Sequence, residues 1–247
     1  MAESAGIQSL DSALRVLETM SEAGTPLSLS ELARRVDMPA SKVHRYLASF
    51  VNSGLVAQAG KSGKYDLGPG AIALGLSAMS RLDFVNRTAD ALPDLCAETG
   101  FTAMLSIWGN FGPTIIRWER AAGFIVTTLG LGTTMPLLGS ATGRAFLAWA
   151  QPNVISTRLA EERAANPSLD TQAIAKQVRA DGYAWVSGDL IPGLAAISAP
   201  VLNWQDEVEA AVTLIGTDVA IAKPDGAPVL ALKAFCTRLS QPAPTRA

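Results

Sequence analysis

Hydrophobic residues recur every three or four positions through the first fifty residues, in runs separated by glycine or proline. The first run, over 7–23, predicts a helix. Ser28 and Glu31 stand three apart at the head of a second apolar stripe, which is the pattern of a capping box at a helix start. Pro39 precedes a third run, over 40–52, and proline is favoured in the first turn of a helix. The pattern therefore predicts three short helices.

The third predicted helix has two unlike faces. At about 100° per residue, Val43, Tyr46 and Leu47 fall on one arc, which we expect to join the core. The opposite arc holds only small, polar or basic side chains: Ser41, Lys42, His44, Arg45, Ala48 and Ser49. Such side chains let a helix enter a major groove and reach base edges and phosphates. We therefore expect this face to bind DNA.

A strand–turn–strand pattern follows the third helix. Residues 55–58 and 65–68 flank a turn that is rich in glycine and carries Lys61 and Lys64. Three helices and a hairpin within residues 1–68 predict a winged helix-turn-helix. In such a domain we expect the two lysines to lie over the phosphate backbone or the adjacent minor groove.

Positive charge is concentrated in the same stretch. The chain has 247 residues and a net charge of −2, which excludes a protein that binds polyanions over its whole surface. Residues 32–65, however, hold six basic side chains against a single acidic one, Asp37. The coincidence of pattern and charge favours DNA binding, and we predict contacts from Arg34, Arg35, Ser41, Lys42, His44, Arg45, Ser49, Lys61 and Lys64.

The remainder of the chain mixes helical and strand patterns. Two helical stretches, 69–79 and 83–99, form a predicted connector, and Pro93 is expected to kink or restart the second. Strands are predicted at 101–108, 114–120, 124–129, 194–202 and 208–215, and helices within 135–151, at 169–181 and at 229–239. Strands framed by helices indicate an α+β domain with an antiparallel sheet.

Composition excludes several classes of protein. Hydrophobic residues make up 49% and charged residues 17%, which excludes wholesale disorder. One histidine, His44, and two cysteines are too few for structural zinc, iron–sulfur clusters or a Cys/His nucleophile. Ser140 stands second in Gly-Ser-Ala-Thr-Gly, whereas the hydrolase motif has its serine third. We expect no catalytic residue, no cofactor and no metal, and we interpret His44 as a groove or backbone contact rather than a metal ligand.

The chain also lacks the patterns of export and membrane insertion. No basic-then-apolar run opens it, and glycine and proline interrupt the uncharged stretch 121–143 too often for a membrane-spanning helix. We expect a cytoplasmic protein whose Cys96 and Cys236 are buried free thiols.

Two sets of motifs bear on the family of the chain. The first comprises Leu32-Ala33-Arg34-Arg35, Pro39-Ala40-Ser41-Lys42-Val43-His44-Arg45-Tyr46-Leu47, Gly54-Leu55-Val56 and Lys64-Tyr65-Asp66-Leu67-Gly68. The second comprises residues 135–145, Gly182-Tyr183-Ala184, Asp189, Gly193 and Ser198-Ala199-Pro200-Val201. Together they resemble the IclR family of bacterial transcription regulators. The chain departs from the family pattern at Lys42, where threonine is usual, at Asp189, where glutamate is usual, and at Ser198, often alanine.

The resemblance implies an architecture and a set of partners. It implies a winged helix-turn-helix over 1–68, a helical linker over 69–99 and a GAF-like domain over 100–247 that binds an effector and forms homodimers or homotetramers. The implied partners are a pseudo-palindromic double-stranded DNA operator and a small molecule, with no membrane. The sequence leaves open whether the protein represses or activates, and which genes it regulates.

The resemblance also implies an effector pocket. Its positions here are Phe124, Thr127, Met135, Ala141, Thr142, Val186, Leu194, Ala196, Thr213 and Ile215. Val186, Ala196 and Ile215 are apolar, whereas relatives that bind small carboxylates have several acidic, Cys or Ser residues at these positions. Burying a highly charged acid without partners is costly, so we expect a largely apolar or aromatic effector with one carboxylate or hydroxyl at the threonine end.

Two alternatives remain at this point. In the first, the pocket positions are core residues and the effector binds elsewhere. In the second, the chain is a small-molecule sensor or catabolic enzyme that does not bind DNA. The intact basic face of the third predicted helix argues against the second alternative.

Overall fold

The computed structural model describes residues 6–59, 63–81, 83–121, 127–188 and 190–240. Three residues of the motifs and predicted sites lie outside these ranges: Lys61, Phe124 and Asp189. Contacts divide the chain into two compact units, residues 1–82 and 83–247. Each unit has a hydrophobic core of its own.

The described part of the first unit consists of four helices and a two-stranded hairpin. They are α1 (Gln8–Ala23), α2 (Leu29–Arg35), α3 (Ala40–Asn52), β1 (Val56–Ala59), β2 (Lys64–Leu67) and α4 (Pro69–Met79). The two strands pair antiparallel. The predicted helix-turn-helix and its hairpin are confirmed.

Burial of α3 on one side fixes which side faces outward. Val43 and Leu47 are fully buried, and they pack with Val16 of α1 and Leu32 of α2. Side chains four apart lie on one face of a helix, so this pair anchors a single stripe. The opposite face of α3 is therefore presented to solvent.

Hydrogen bonds at the start of α2 hold the winged unit together. Ser28 Oγ accepts the N–H of Glu31 at 3.3 Å, and the Glu31 carboxylate accepts the N–H of Ser28 at 2.9 Å. The predicted capping box is thus present. The backbone N–H and the hydroxyl of Ser28 both donate to the Glu31 carboxylate, which holds the pKa of that carboxyl below its usual value. Leu27, one residue earlier, exchanges two backbone hydrogen bonds with Tyr65 of β2, which ties the hairpin to the entry of α2.

Helix α4 is unusual because none of its residues is buried. It contains no charged residue, and Ile72, Leu74 and Leu76 are each about 60% exposed. With 11 residues, α4 is too short to cross a bilayer, and no described helix is long and apolar enough to do so.

The described part of the second unit is built on one antiparallel sheet of five strands in the order β4-β3-β7-β6-β5. Its elements are α5 (Asp83–Thr99), β3 (Thr102–Gly109), β4 (Gly112–Glu119), α6 (Ala141–Trp149), α7 (Pro152–Ala165), α8 (Thr171–Asp181), β5 (Ala184–Ser187), β6 (Ala195–Leu202), β7 (Val208–Gly216), a short 3-10 helix (Val219–Ala222) and α9 (Ala227–Leu239). The predicted α+β class with an antiparallel sheet is confirmed.

Helices pack on this sheet in two groups. α5 and α9 pack against each other, α5 also against β3 and α9 against β6. α5 runs through Pro93 as one helix rather than restarting there. α6 packs against β6 and β7, and α8 packs on α6. Phe146 of α6 is 1% exposed and stacks in a tilted geometry on Trp108, at 5.6 Å between ring centroids.

Some elements differ from the sequence prediction. Residues 127–129 form no strand, and the first part of that predicted strand lies outside the described residues. α7 and β5 were not predicted. Only Ile155 of α7 is buried, so α7 shows no regular apolar stripe, and β5 has just four residues.

Both cysteines are buried free thiols. The Cys96 Sγ donates to the carbonyl of Glu119 and the Cys236 Sγ to that of Ala199, each at 3.5 Å. Burial raises the pKa of both thiols, because it penalises the thiolate.

Candidate functional site

The outer face of α3 carries five of the nine predicted DNA contacts, and three others lie in α2 and β2. Eight of the nine predicted residues are described, and all eight are exposed: Arg34, Arg35, Ser41, Lys42, His44, Arg45, Ser49 and Lys64. Ala48, on the same arc, is also exposed and adds no bulk. A helix with small and basic residues on its open face has the form that fits a major groove.

Two contacts within the protein shape this face. The Lys42 ammonium lies over the Tyr46 ring, 5.8 Å from its centroid, in a cation–π arrangement. The Ser49 hydroxyl donates to the carbonyl of Arg45 at 3.3 Å. The contact with Tyr46 holds Lys42 along the helix surface, and Arg45 lies near the middle of the helix.

Neighbouring elements place further cations beside α3. Arg34 and Arg35 occupy the last turn of α2. Asp37 has a φ of 51°, in the left-handed region that aspartate tolerates in turns, and this turn leads into α3. Lys64 opens β2. The exposed cations therefore come from the three elements that a winged helix-turn-helix presents to a duplex.

The predicted effector residues converge on one cavity of the second unit. Eight of the ten line it: Met135, Ala141, Thr142, Val186, Leu194, Ala196, Thr213 and Ile215. Met104, Ser140, Leu190 and Ile191 complete the lining. Thr127 is not among the lining residues, and its hydroxyl oxygen accepts the N–H of Leu129 at 3.1 Å.

Strand register explains how distant residues meet there. Val186 of β5 lies opposite Ala196 of β6, which lies opposite Ile215 of β7. Thr213 lies two residues from Ile215 and opposite Met104 of β3. Residues two apart on a strand share a face, so these five side chains form one patch under α6.

A chain of buried hydroxyls forms the polar end of the cavity. The Ser198 hydroxyl donates to the carbonyl of Val212 at 3.3 Å, and the Thr213 hydroxyl donates to Ser198 Oγ at 2.9 Å. Thr142 and Thr213 are joined by a bond of 2.8 Å. Since each hydroxyl has one hydrogen, Thr142 must be the donor in that bond. The hydrogens of all three hydroxyls are thus engaged within the protein, and the oxygens of Thr142 and Thr213, which line the cavity, keep lone pairs that can accept.

The first turn of α6 adds hydrogen-bond donors to the same end. Ser140 caps the helix, because its Oγ accepts the N–H of Gly143 at 2.9 Å. The N–H groups of Ala141 and Thr142 have no acceptor within the helix, as their position in the first turn dictates. Backbone donors and hydroxyl acceptors therefore stand side by side.

A carboxylate holds the loop that leads into α6. Glu162 of α7 accepts the N–H of Leu137 at 2.7 Å and that of Leu138 at 2.8 Å. Arg158 pairs with the same carboxylate at 2.7 Å, and Glu162 is only 14% exposed. Arg144 donates to the carbonyl of Leu138 at 2.8 Å from the other side. The sequence analysis missed Glu162 for two reasons. Helix α7 has no regular apolar stripe, and the hydrogen-bond partners of Glu162 lie 24 and 25 residues away along the chain.

Charge is absent from the described lining of the cavity. All twelve of its residues are uncharged. Across the described residues, no three His, Cys, Asp or Glu side chains are grouped so as to hold a metal ion. Whatever binds here meets backbone amides, hydroxyl oxygens and hydrocarbon.

A winged helix-turn-helix joined to a cavity-bearing sheet domain defines a DNA-binding regulator. Two family models match the chain: the IclR helix-turn-helix domain over residues 9–60 and the bacterial transcriptional regulator IclR C-terminal domain over residues 76–240. The chain belongs to the IclR family of bacterial transcription regulators, so it is a regulator and not an enzyme.

Relatives and solved structures agree with this assignment. The HTH-type transcriptional regulator BhcR of Paracoccus denitrificans is 31% identical over 221 residues, which cover 87% of this chain and 79% of that protein. Pseudomonas aeruginosa HmgR has a crystal structure that matches with a TM-score of 0.75 at 33% identity, covering 95% of this chain and 98% of that one.

A third likeness concerns the fold alone. An IclR homolog from Microbacterium hydrocarbonoxydans, crystallised with 4-hydroxybenzoate, matches with a TM-score of 0.72 at 19% identity. The match covers 94% of this chain and 97% of that one.

The exposed face of α3 generates a prediction about DNA binding. Arg45→Ala and Lys42→Ala should each weaken binding to the operator by about 1–3 kcal/mol, because we expect both side chains to contact base edges. Lys64→Ala should weaken binding to all sequences alike and flatten the salt dependence, because it removes a phosphate contact. Lys61, outside the described residues, is predicted to act in the same way.

The measurement is a fluorescence-anisotropy titration against the DNA upstream of the chain's own gene and against a scrambled duplex. Lys223→Ala, which removes an equal charge from an exposed site in the second unit, is the control and should leave binding unchanged. Wild-type affinity of Arg45→Ala would mean that the outer face of α3 is wrongly assigned.

The carboxylate of Glu162 generates a prediction about stability. Glu162→Gln should lower the free energy of unfolding of the second unit by about 1–3 kcal/mol, because an amide nitrogen then faces one buried N–H without accepting from it. Urea unfolding followed by tryptophan fluorescence measures this, since all five tryptophans lie beyond residue 82. Glu161→Gln, an exposed neighbour, is the control, and an equal loss in both variants would contradict the prediction.

Proposed function

We propose that this regulator binds its operator under the control of a small, largely apolar or aromatic metabolite, which occupies the cavity beneath α6. The observation that carries the proposal is the uncharged lining: eight positions that the family resemblance marks as effector contacts surround one cavity and contribute no charge. The location in the cell that suits this function is the cytoplasm.

The chemistry of the lining selects among effectors. Val186, Ala196 and Ile215 offer hydrocarbon, against which a highly charged acid would lose its hydration without compensation. Thr142 and Thr213 offer oxygen lone pairs, and the start of α6 offers N–H groups. A hydroxyl of the effector can donate to the threonine oxygens and accept from the N–H groups of α6. A single carboxylate of the effector can accept from the same N–H groups. An aromatic ring with one such group suits this arrangement.

The size of the cavity adds a requirement. Its volume is about 30 Å³, far below the several hundred Å³ that are usual for pockets that hold small molecules. A ring therefore enters only if side chains move. Met104 and Met135 line the cavity, and methionine has the flexible side chain that adapts most readily to a new shape. Movement of Met135 pulls on the loop that Glu162 holds, which supplies a route from effector binding to a change of conformation.

A protein of the same fold gives this proposal a precedent. The Microbacterium hydrocarbonoxydans homolog was crystallised with 4-hydroxybenzoate, an aromatic ring with one carboxylate and one hydroxyl. The alternative of a sensor or catabolic enzyme without DNA binding has less support, because the family is one of DNA-binding regulators and α3 keeps its basic face.

The same proposal includes assembly into a homodimer or homotetramer on a pseudo-palindromic operator. One winged helix contacts too few base pairs to select a site in a genome, so two copies must bind half-sites one or more helical turns apart. Within the first unit, α4 exposes Ile72, Leu74 and Leu76 on a helix with no charge. An apolar helix that buries nothing within its own chain is typical of a surface between subunits.

Filling the cavity tests the effector part of the proposal. Ala196→Trp should abolish binding of the effector and the response of the DNA complex to it, while operator affinity stays at the wild-type level. Ile215→Asp should do the same by placing a charge among hydrocarbon. Calorimetry with 4-hydroxybenzoate, benzyl alcohol and pyruvate measures binding, with Val219→Trp, at a 65% exposed position, as the control. Tight binding of pyruvate with none of either aromatic compound would contradict the apolar cavity.

Weakening α4 tests the assembly part. Leu74→Glu should shift the protein toward smaller species, because two copies of a charge then meet in an apolar contact. Light scattering coupled to size exclusion, with and without operator DNA, measures the mass. Val219→Glu introduces the same charge at an exposed site elsewhere and is the control. A wild-type protein that is monomeric both free and on DNA would refute the proposed dimer.

A further inference from the structure

A cleft of about 600 Å³ lies on the second unit between α6, α7 and α8, apart from the effector cavity. Its volume is within the range of pockets that hold small molecules. Leu147 and Ala148 of α6 line one side. The cleft and the effector cavity share no lining residue, so a ligand of one does not occupy the other.

The floor of the cleft is hydrocarbon. Ile155 and Leu159 stand four apart on α7, and Ala175 faces them from α8. Ile155 is 5% exposed and Leu147 8%, while Leu159 and Ala175 are half-buried members of the same core cluster. The open part of this floor is apolar surface that a ring could cover.

The rim of the cleft is basic. Arg163, Lys176 and Arg179 line it, and no Asp or Glu does. Arg163 continues the α7 stripe of Ile155 and Leu159 at the same spacing of four. The connection from α7 to α8 is only five residues long, and Arg163 lines the same cleft as Lys176 and Arg179 of α8.

The acidic groups nearby are already engaged. Glu162 is held by Arg158 and two backbone amides, and Glu161 lies 3.8 Å from Arg158. Asp170 caps α8 by accepting the N–H groups of Gln172 and Ala173.

The cations differ in what they contact. Arg179 donates through Nε to the carbonyl of Ala148, which satisfies the end of α6. Within the described part of the chain, the side chains of Arg163 and Lys176 form no ion pair. Two unpaired cations above an apolar floor form a site for an anion with a hydrophobic body.

We propose that this cleft is a second small-molecule site, which binds an organic anion consisting of one carboxylate on an apolar body of one or two rings. Arg163 and Lys176 hold the carboxylate, and Leu147, Leu159 and Ala175 contact the rings. Charge-assisted hydrogen bonds to arginine and lysine are stronger than neutral ones, so the carboxylate fixes the orientation.

A second copy of the chain is a poorer occupant of the cleft. In a two-fold interface the same patch meets itself, so the basic rims of two copies would face each other without acidic partners. Like charges in such a contact are destabilising. Charge complementarity therefore favours a small anion over self-association.

Helix α6 joins the two sites. Its first turn lines the effector cavity through Ala141 and Thr142, and its last turn lines the cleft through Leu147 and Ala148. A ligand in the cleft thus contacts the helix whose start meets the effector. Through α6, the anion in the cleft can therefore modify the response of the protein to the effector.

Calorimetry with two matched probes tests the cleft directly and without DNA. The probes are 2-naphthoate and its uncharged isostere 2-naphthamide, titrated into the full chain that carries Ala196→Trp to fill the effector cavity. We expect 2-naphthoate to bind at one site per chain. Adding Arg163→Gln and Lys176→Gln should weaken it about tenfold or more, which is the effect of losing about 1.4 kcal/mol of binding. The affinity for 2-naphthamide should not change.

Two further variants separate charge from shape. Ala160→Trp, at an exposed lining position, should block 2-naphthoate by occupying the cleft without altering its charge. Lys223→Gln with Arg120→Gln removes two exposed charges elsewhere and should leave binding intact. The test measures how substitutions in the cleft change the affinity for 2-naphthoate. Its result therefore does not depend on whether the effector cavity binds an aromatic compound.

Three results would overturn the proposal. They are no binding of 2-naphthoate at millimolar concentration, binding that both cleft variants leave unchanged, and a change in molecular mass by light scattering when Arg163 and Lys176 are replaced. The last would identify the cleft as a contact between subunits.

Discussion

The backbone N–H groups of Leu137 and Leu138 both donate hydrogen bonds to the partly buried carboxylate of Glu162. The geometry around the effector cavity depends on these two bonds. The loop that contains the two leucines has no regular structure of its own, so its amides need an acceptor from elsewhere. Glu162 supplies both oxygens, and Arg158 neutralises the charge that this requires. With the loop held, Ser140 can cap α6. The cavity is thus shaped by an ion pair that does not line it.

This loop approaches the start of α6 closely. A Cβ at position 143 would lie 2.0 Å from the carbonyl oxygen of Pro136, so only glycine allows the helix to start where it does. The cavity lining thus combines a fixed helix start with two flexible side chains, Met104 and Met135. The hydroxyls of Ser140 and Thr142 belong to the fixed helix start.

The first unit was the more predictable from the sequence, for a physical reason. Its elements are local: the capping box of Ser28 and Glu31 spans three residues, and the buried stripe of Val43 and Leu47 spans four. The second unit depends on contacts between distant positions. The cavity lining was anticipated only because the family resemblance supplied it residue by residue, and Thr127 lies outside it. Glu162 had no sequence signal, since its partners are backbone amides, which every residue possesses.

The reactivity of the two buried thiols can report local unfolding of the second unit. Only a thiolate reacts with an alkylating reagent, and both Cys96 and Cys236 are buried with pKa values that burial has raised. Each must reach water before it is modified. Cys96 lies within α5 and Cys236 within α9, so their separate rates of alkylation report how often each helix opens away from the sheet. A single new cysteine on the DNA-binding face could accordingly be labelled in the native protein without first replacing the other two.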